Sequence, residues 1–293
     1  MRWTPGGASR NLEDRRGSSG GGFNGGFGGG ARLGVGGTLI LLILSVVFRQ
    51  DFFALVEGHS VGGPIATAPA APPAQSPQES RQVQFVSFVL DDAQNSWRRT
   101  LGALGAPYRD AKLVLFRNAT RTGCGVGQTA SGPFYCPADE KVYIDLSFYD
   151  ELKRFGAAGD FAQAYVIAHE LGHHVQHILG VDQQFRRAQQ ANPSLANALS
   201  VRFELQADCL AGVWGNSTAQ RDLLDQADID QGLAAAQAVG DDRIQRMTTG
   251  RVDVDGFTHG SSAQRATWFR RGLASGKVAD CDTFARTAQA VGP

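Results

Sequence analysis

The chain has 293 residues, enough for one large domain or two small ones. It carries 28 basic and 28 acidic side chains, so no global field draws it to nucleic acid, and no nucleic-acid partner is expected. Its 37 glycines exceed ordinary globular usage, but many lie between Gly17 and Gly37, so the excess belongs to one segment at the front.

Residues 1–32 read as a Gly-rich N-terminal segment. Leu33 to Phe48 (LGVGGTLILLILSVVF) carries no charge and is slightly short for a membrane-spanning helix, which needs about 20 residues. No small-x-small cleavage site follows Ser45, so an uncleaved single-pass anchor over 33–53 is favoured over a removed signal peptide. Arg2, Arg10, Arg15, Arg16 and Arg32 precede the span and only Arg49 follows closely. The positive-inside rule then places the N-terminus in the cytoplasm and the rest outside, with the lipid bilayer as a partner through 33–53. Residues 54–82 are Pro-, Ala- and Ser-rich towards their end and read as a linker, so a globular domain is expected over 83–293.

Within that domain, Gln84–Leu90 reads as a strand start or a helix entry, and Asp91–Leu104 as a helix ended by Gly105-Ala106-Pro107. Leu113–Phe116 and Lys141–Asp145 read as strands, and Cys124–Cys136 as a loop. Phe161–Leu179 is a strong helix with Asp160 as its expected N-cap and Gly180 beyond its end. A second long helix is expected from Asn192–Pro193 to about Trp214, with further helices near Ile229–Val239 and Ser262–Leu273. The fold class is α+β, dominated by helices, with a few strands ahead of the central helix.

Four cysteines occur and none forms a CxxC pair, which argues against a zinc ribbon or a thioredoxin-like site. Outside the cytosol they are expected to pair as Cys124–Cys136, bracketing a loop, and Cys209–Cys281, tying a late helix to the C-terminal segment. Buried free thiols are the alternative.

The chemistry concentrates in His169-Glu170-Leu171-Gly172-His173. Histidines four apart on a helix share a face and can approach one metal ion, while the glutamate between them reaches a water rather than the metal. Ala164, Tyr165, Val166, Ile167, Ala168, Leu171, Val175 and Ile178 make this helix apolar nearly all round. Its buried polar groups therefore need a reason, and Zn²⁺ supplies one. A third ligand is sought one helix later, where Glu204 and Asp208 lie a turn apart. Glu204 is favoured as ligand and Asp208 as the acceptor for the far nitrogen of a ligand histidine; the reverse assignment stays open. His174 and His177 read as polar or capping residues, and His59 as irrelevant to the site. His259, in a loop before a helix, is a candidate for stabilising an oxyanion.

HELGHHVQH at 169–177, ELQADCLAGVW at 204–214 and THGSSAQR at 258–265 resemble the bacterial putative neutral zinc metallopeptidase family. The N-terminal MRW…NLEDRRG followed by Gly-rich and hydrophobic sequence is similar too, so the resemblance covers nearly the whole chain. It implies a helix-rich, zincin-like domain binding one Zn²⁺ through His169, His173 and Glu204, with Glu170 as base and a catalytic role for His259. The expected function is a membrane-anchored metalloendopeptidase with an extracytoplasmic catalytic domain and a protein or peptide substrate. A zinc hydrolase of non-peptide amides in the cell envelope and an inactive zinc-binding module are the alternatives. By analogy with other zincins, Lys141–Asp145 is a candidate edge strand for an extended substrate. The sequence gives no oligomeric state.

Overall fold

The computed structural model of the chain describes residues 1–17 and 76–285. The expected anchor over 33–53, the Gly-rich stretch beyond Gly17, His59 and most of the expected linker lie outside the described residues. Among the described residues, no helix is long and apolar enough to cross a membrane.

The first element is a short strand, β1 (Leu12–Asp14). Helix α1 (Pro77–Ala103) starts at a capping box: Ser76 Oγ accepts from the Glu79 amide, the Glu79 carboxylate accepts from the Ser76 amide, and Pro77 fills the first helical position. Phe85, Val86, Val89, Leu90, Ala93, Trp97 and Leu101 recur at helical spacing and are buried. Helix α1 thus begins at Pro77, inside the stretch that reads as linker, and the strand-or-helix ambiguity at Gln84–Leu90 resolves as helix. Composition misled here because one capping box outweighs a neighbouring run of proline and alanine.

Strands β2 (Lys112–Phe116), β3 (Ala119–Thr122), β4 (Gly125–Gln128), β5 (Phe134–Cys136) and β6 (Lys141–Asp145) follow. β3 and β4 form an antiparallel hairpin, and the main sheet runs β1-β2-β6-β5. β1, β2 and β6 are parallel, with Leu12 opposite Leu113 and Leu113 opposite Val142, while β5 is antiparallel to β6. Two expectations change. The segment 124–136 holds two strands rather than a loop, and β6 is interior, flanked by β2 and by β5, which forms one edge of the sheet.

The arrangement also corrects the reading of residues 1–32 as a segment apart, because residues 1–17 belong to the domain. β1 extends the sheet, the Trp3 ring meets Phe85 edge-on at 5.2 Å, and Ser9, Asn11 and Arg16 are buried.

The helices are α2 (Phe148–Arg154), α3 (Asp160–Ile178), α4 (Val181–Ala191), α5 (Ala196–Ala219), α6 (Gln226–Ala238), α7 (Asp241–Thr249) and α8 (Ser262–Ser275). α3 is the apolar central helix; its N-cap is Gly159, with Asp160 the first helical residue, and Gly180 follows its end in the left-handed region. Phe161 and Tyr165 on α3, Trp214 on α5 and Phe269 on α8 meet in one buried aromatic group, with Phe161 stacked on Trp214 at 5.8 Å. α4 and α7 are amphipathic surface helices whose polar composition hides them in the sequence.

Glycines set how closely the helices cross at two points. A Cβ on Gly172 of α3 would lie 2.9 Å from the Ala207 carbonyl oxygen on α5. One on Gly272 of α8 would lie 1.9 Å from the Cys209 oxygen, also on α5. Backbone meets backbone at both points, which draws α3, α5 and α8 together around the functional residues.

Candidate metal centre

α3 presents His169 and His173 on one face, their rings 4.8 Å apart, and α5 brings Glu204 against both. His169 Nε2 lies 3.1 Å from Glu204 Oε2, and His173 Nε2 lies 3.5 Å from Glu204 Oε1. One ligand atom from each residue lies within 4.8 Å of the others. Tetrahedral zinc with bonds of about 2.0–2.1 Å spaces its donors about 3.4 Å apart, so this set fits that ion.

Each histidine is oriented through its far nitrogen. His169 Nδ1 is 2.9 Å from Asp208 Oδ1, and His173 Nδ1 is 2.7 Å from Gln176 Oε1. The carboxylate and the amide oxygen both accept, so each Nδ1 carries hydrogen and Nε2 is the nitrogen each ring has free to offer a metal ion. Gln176 is itself held, donating to the Phe203 oxygen at 2.8 Å and to Gln206 at 2.9 Å. Phe203 stacks on the His173 ring at 5.1 Å, and Phe185 of α4 stacks on Phe203.

Asp208 is fully buried and accepts four hydrogen bonds from three side chains. Arg265 of α8 reaches it through Nε at 2.8 Å and a terminal nitrogen at 2.9 Å, Tyr165 donates its hydroxyl, and His169 completes the set. Burial would raise the Asp208 carboxyl, but the Arg265 guanidinium and His169 hold it below its usual range. Burial likewise works against a charged His169, yet Asp208 and Glu204 outweigh it and raise the ring to about 10. Glu204 stays well below the carboxylate norm because His173 and His169 overcome its burial. Glu204 faces both histidines and Asp208 backs His169, so the carboxylates give the pocket a negative character that suits a cation.

Glu170, 6% accessible, lines the same cleft, and burial pushes its carboxyl upward. His259 also lines the cleft. Its Nδ1 is 3.1 Å from Asp241 Oδ1, while the other Asp241 oxygen accepts the backbone amides of Thr258, His259 and Gly260. Half of the His259 side chain stays open to the cleft. The cleft walls lower its pKa, but the Asp241 hydrogen bond outweighs them and raises it above 6.5. Gly132 to Tyr135, carrying the start of edge strand β5, form the near wall with Phe148.

His174 faces the other way. It is wholly buried, donates from Nε2 to the Arg109 carbonyl at 2.7 Å, and accepts at Nδ1 from the Tyr135 hydroxyl at 2.9 Å. It ties the edge strand to the central helix. His177 pairs with Asp182 at 2.8 Å near the end of α3. Both fit the polar and capping roles expected. Both expected disulfides, Cys124–Cys136 and Cys209–Cys281, are formed.

Tyr165, Gln176, Asp241 and Arg265 escape the sequence reading as site residues. Gln176 left a trace, since it sits one turn after His173 on the same helix. Arg265 left another, since it lies three and four residues before Trp268 and Phe269 and so shares their helical face.

Two helix-borne histidines, a carboxylate from the next long helix and a glutamate beside them form a candidate HExxH-type metal centre in a helix-rich α+β domain. The comparisons agree: the family model described as "Putative neutral zinc metallopeptidase" matches residues 1–284, and the chain belongs to that family. The chain is 48% identical over 291 residues to "Uncharacterized protein YpfJ" of Escherichia coli (strain K12), spanning 98% of this chain and all of that one. It is 46% identical over 200 residues to "Uncharacterized protein Rv2575" of Mycobacterium tuberculosis (strain ATCC 25618 / H37Rv), covering 64% of this chain and 66% of that one. No solved structure matches it significantly.

Proposed function

We propose that the chain is a zinc-dependent metalloendopeptidase binding one Zn²⁺ through His169, His173 and Glu204. The observation that carries this reading is the convergence of three donors at zinc-ligand spacing, with Glu170 in the same cleft. Zinc, when bound, polarises the scissile carbonyl and makes water acidic enough to be deprotonated near neutral pH. Glu170 takes the proton from the attacking water and passes it to the leaving amine. His259, with Nδ1 tied to Asp241, offers Nε2–H to the oxygen on which negative charge develops. An extended substrate runs along β5, whose free side borders the cleft and can pair with a peptide backbone. The two disulfides support a catalytic domain outside the cytoplasm, and the apolar stretch at 33–53 supports attachment to the bilayer.

The test uses the full-length chain and Glu170→Gln, measuring zinc per chain and cleavage of a mixed peptide library. One zinc in both proteins, with cleavage only by the unmodified chain, is the expected result. One zinc without cleavage by either would remove the peptidase reading and leave the metal centre; no zinc would remove both.

A further inference from the structure

Arg265 is 3% accessible and lies one helix away from every proposed ligand, yet all of its hydrogen bonds run towards the metal centre or the wall beside it. Nε and one terminal nitrogen form a two-pronged contact with the Asp208 carboxylate at 2.8 and 2.9 Å. The other terminal nitrogen is anchored on the Val239 carbonyl at 3.0 Å. Asp208 in turn holds His169 Nδ1. A buried carboxylate with only a histidine and a tyrosine around it could swing between them. The planar fork fixes both of its oxygens and supplies the charge that burial denies it. Gly272 lets α8 approach α5 closely enough for this contact.

Building on the metal-centre reading above, we infer that Arg265 is a positioning residue for the metal: it locks Asp208, which fixes the His169 ring so that Nε2 meets the ion. Loss of such an outer contact typically weakens metal binding by about 10–100-fold. The experiment measures zinc affinity by chelator competition, with apo-protein melting in parallel, for the full chain, Arg265→Met, Asp208→Asn and the double variant. Arg265→Met is expected to weaken zinc binding at least tenfold, and to add nothing once Asp208 is asparagine. If Arg265→Met alone fails to fold, the double variant, which removes both buried charges together, still decides. Its zinc affinity should equal that of Asp208→Asn. A folded Arg265→Met with unmodified zinc affinity, or losses that add in the double variant, would overturn the inference. Absence of zinc from the unmodified chain would instead strike the metal-centre reading itself.

A second, independent observation concerns the first 17 residues. β1 pairs with β2, with Leu113 N donating to the Asn11 oxygen and Arg15 N to the Leu115 oxygen, both at 2.8 Å. Trp3 Nε1 donates to Asp160 at the start of the metal-bearing helix, Ser9 to Asp91, and Lys141 to Glu13. These contacts are interior to the domain, and a single membrane crossing over 33–53 would place residues 1–17 and 76–285 on opposite faces of the bilayer. The geometry points to both lying in the same compartment. The charge-based expectation of a cytoplasmic N-terminus then applies to the whole domain or to none of it. Among the described residues no cysteine is free, so Arg10→Cys on the arm and Leu104→Cys at the end of α1, 85% and 63% accessible, are usable reporters. Each is made in the full chain and exposed to a membrane-impermeant maleimide on intact and on permeabilised cells. The two sites should respond alike. Labelling of one before permeabilisation and of the other only after it would overturn the inference.

Discussion

Replacing Gly172 by alanine tests whether the metal centre depends on the closeness of α3 and α5. The new Cβ would sit 2.9 Å from the Ala207 oxygen, 3.2 Å from its Cα and 3.4 Å from its Cβ. A carbon rests against a carbonyl oxygen at about 3.3–3.6 Å, so the two backbones must part by roughly 0.5 Å. Ala207 lies three residues from Glu204, while ligand distances tolerate only about 0.2 Å. The displacement therefore falls on the gap that zinc must bridge between Glu204 and the two histidines. Alanine is worth about 1 kcal/mol over glycine inside a helix, and overpacking costs about 1–3 kcal/mol. The two nearly offset, so the apo protein should lose no more than about 2 kcal/mol. Zinc affinity should fall at least tenfold, as for other changes just outside a ligand set. Chelator competition reads the affinity, and calorimetric melting of the metal-free protein reads the stability. Gly172→Ala that binds zinc as tightly as the unmodified chain would refute the idea that this crossing sets the ligand geometry.

Burial lowers His259, and Asp241→Asn removes the strongest of the groups that raise it, leaving Glu204 as the other. If cleavage needs the protonated ring, activity falls as pH rises through the folded pKa above 6.5, and this alkaline limb should move to lower pH in the variant. A pH profile of kcat/KM checks it, and an unmoved limb removes His259 from the chemistry. Replacing both cysteines of Cys209–Cys281 by serine should cost about 4 kcal/mol, more than the roughly 3 kcal/mol for Cys124–Cys136, because the closed segments span 72 and 12 residues. Denaturant melts of the two double variants give the order. A chain begun at Val83 lacks β1, Trp3 and the first turns of α1, so it should melt well below the full chain or fail to fold. Circular dichroism on heating would show it.

What the sequence made legible is local. HExxH, the apolar faces of α3 and α5, and the Glu204–Asp208 pair are all written within a helical turn or two. A period of 3.6 residues places such groups on one face with no knowledge of the fold. α1 could have been read in full from Ser76-Pro77-Gln78-Glu79, a capping box lying in plain view beside a misleading composition. β1 could not: three residues in a polar stretch carry no strand signal, and only β2 makes Leu12–Asp14 a strand. The edge position of β5 was hidden for the same reason, since sheet order is set by pairing between distant segments. β6, with its stronger strand composition, is the one that lies inside.

Of the residues that escaped, Tyr165, Asp241 and Arg265 act across a helix or loop crossing, while Gln176 orients His173 from within the same helix. Asp208 was legible because it shares α5 with Glu204, whereas Arg265, which holds it, comes from α8 through the gap that Gly272 leaves. Asp241 reaches His259 from the start of α7, 18 residues earlier in the chain. The same division orders their expected effects. On the proposed ligand set, Glu204 would bond the metal directly, and its loss is expected to empty the centre. Arg265, Gln176 and Asp241 each fix one rotation of a neighbouring side chain, so their loss should leave the centre assembled but loose. Zinc affinity in the first two and the pH profile in the third are the quantities that would register it.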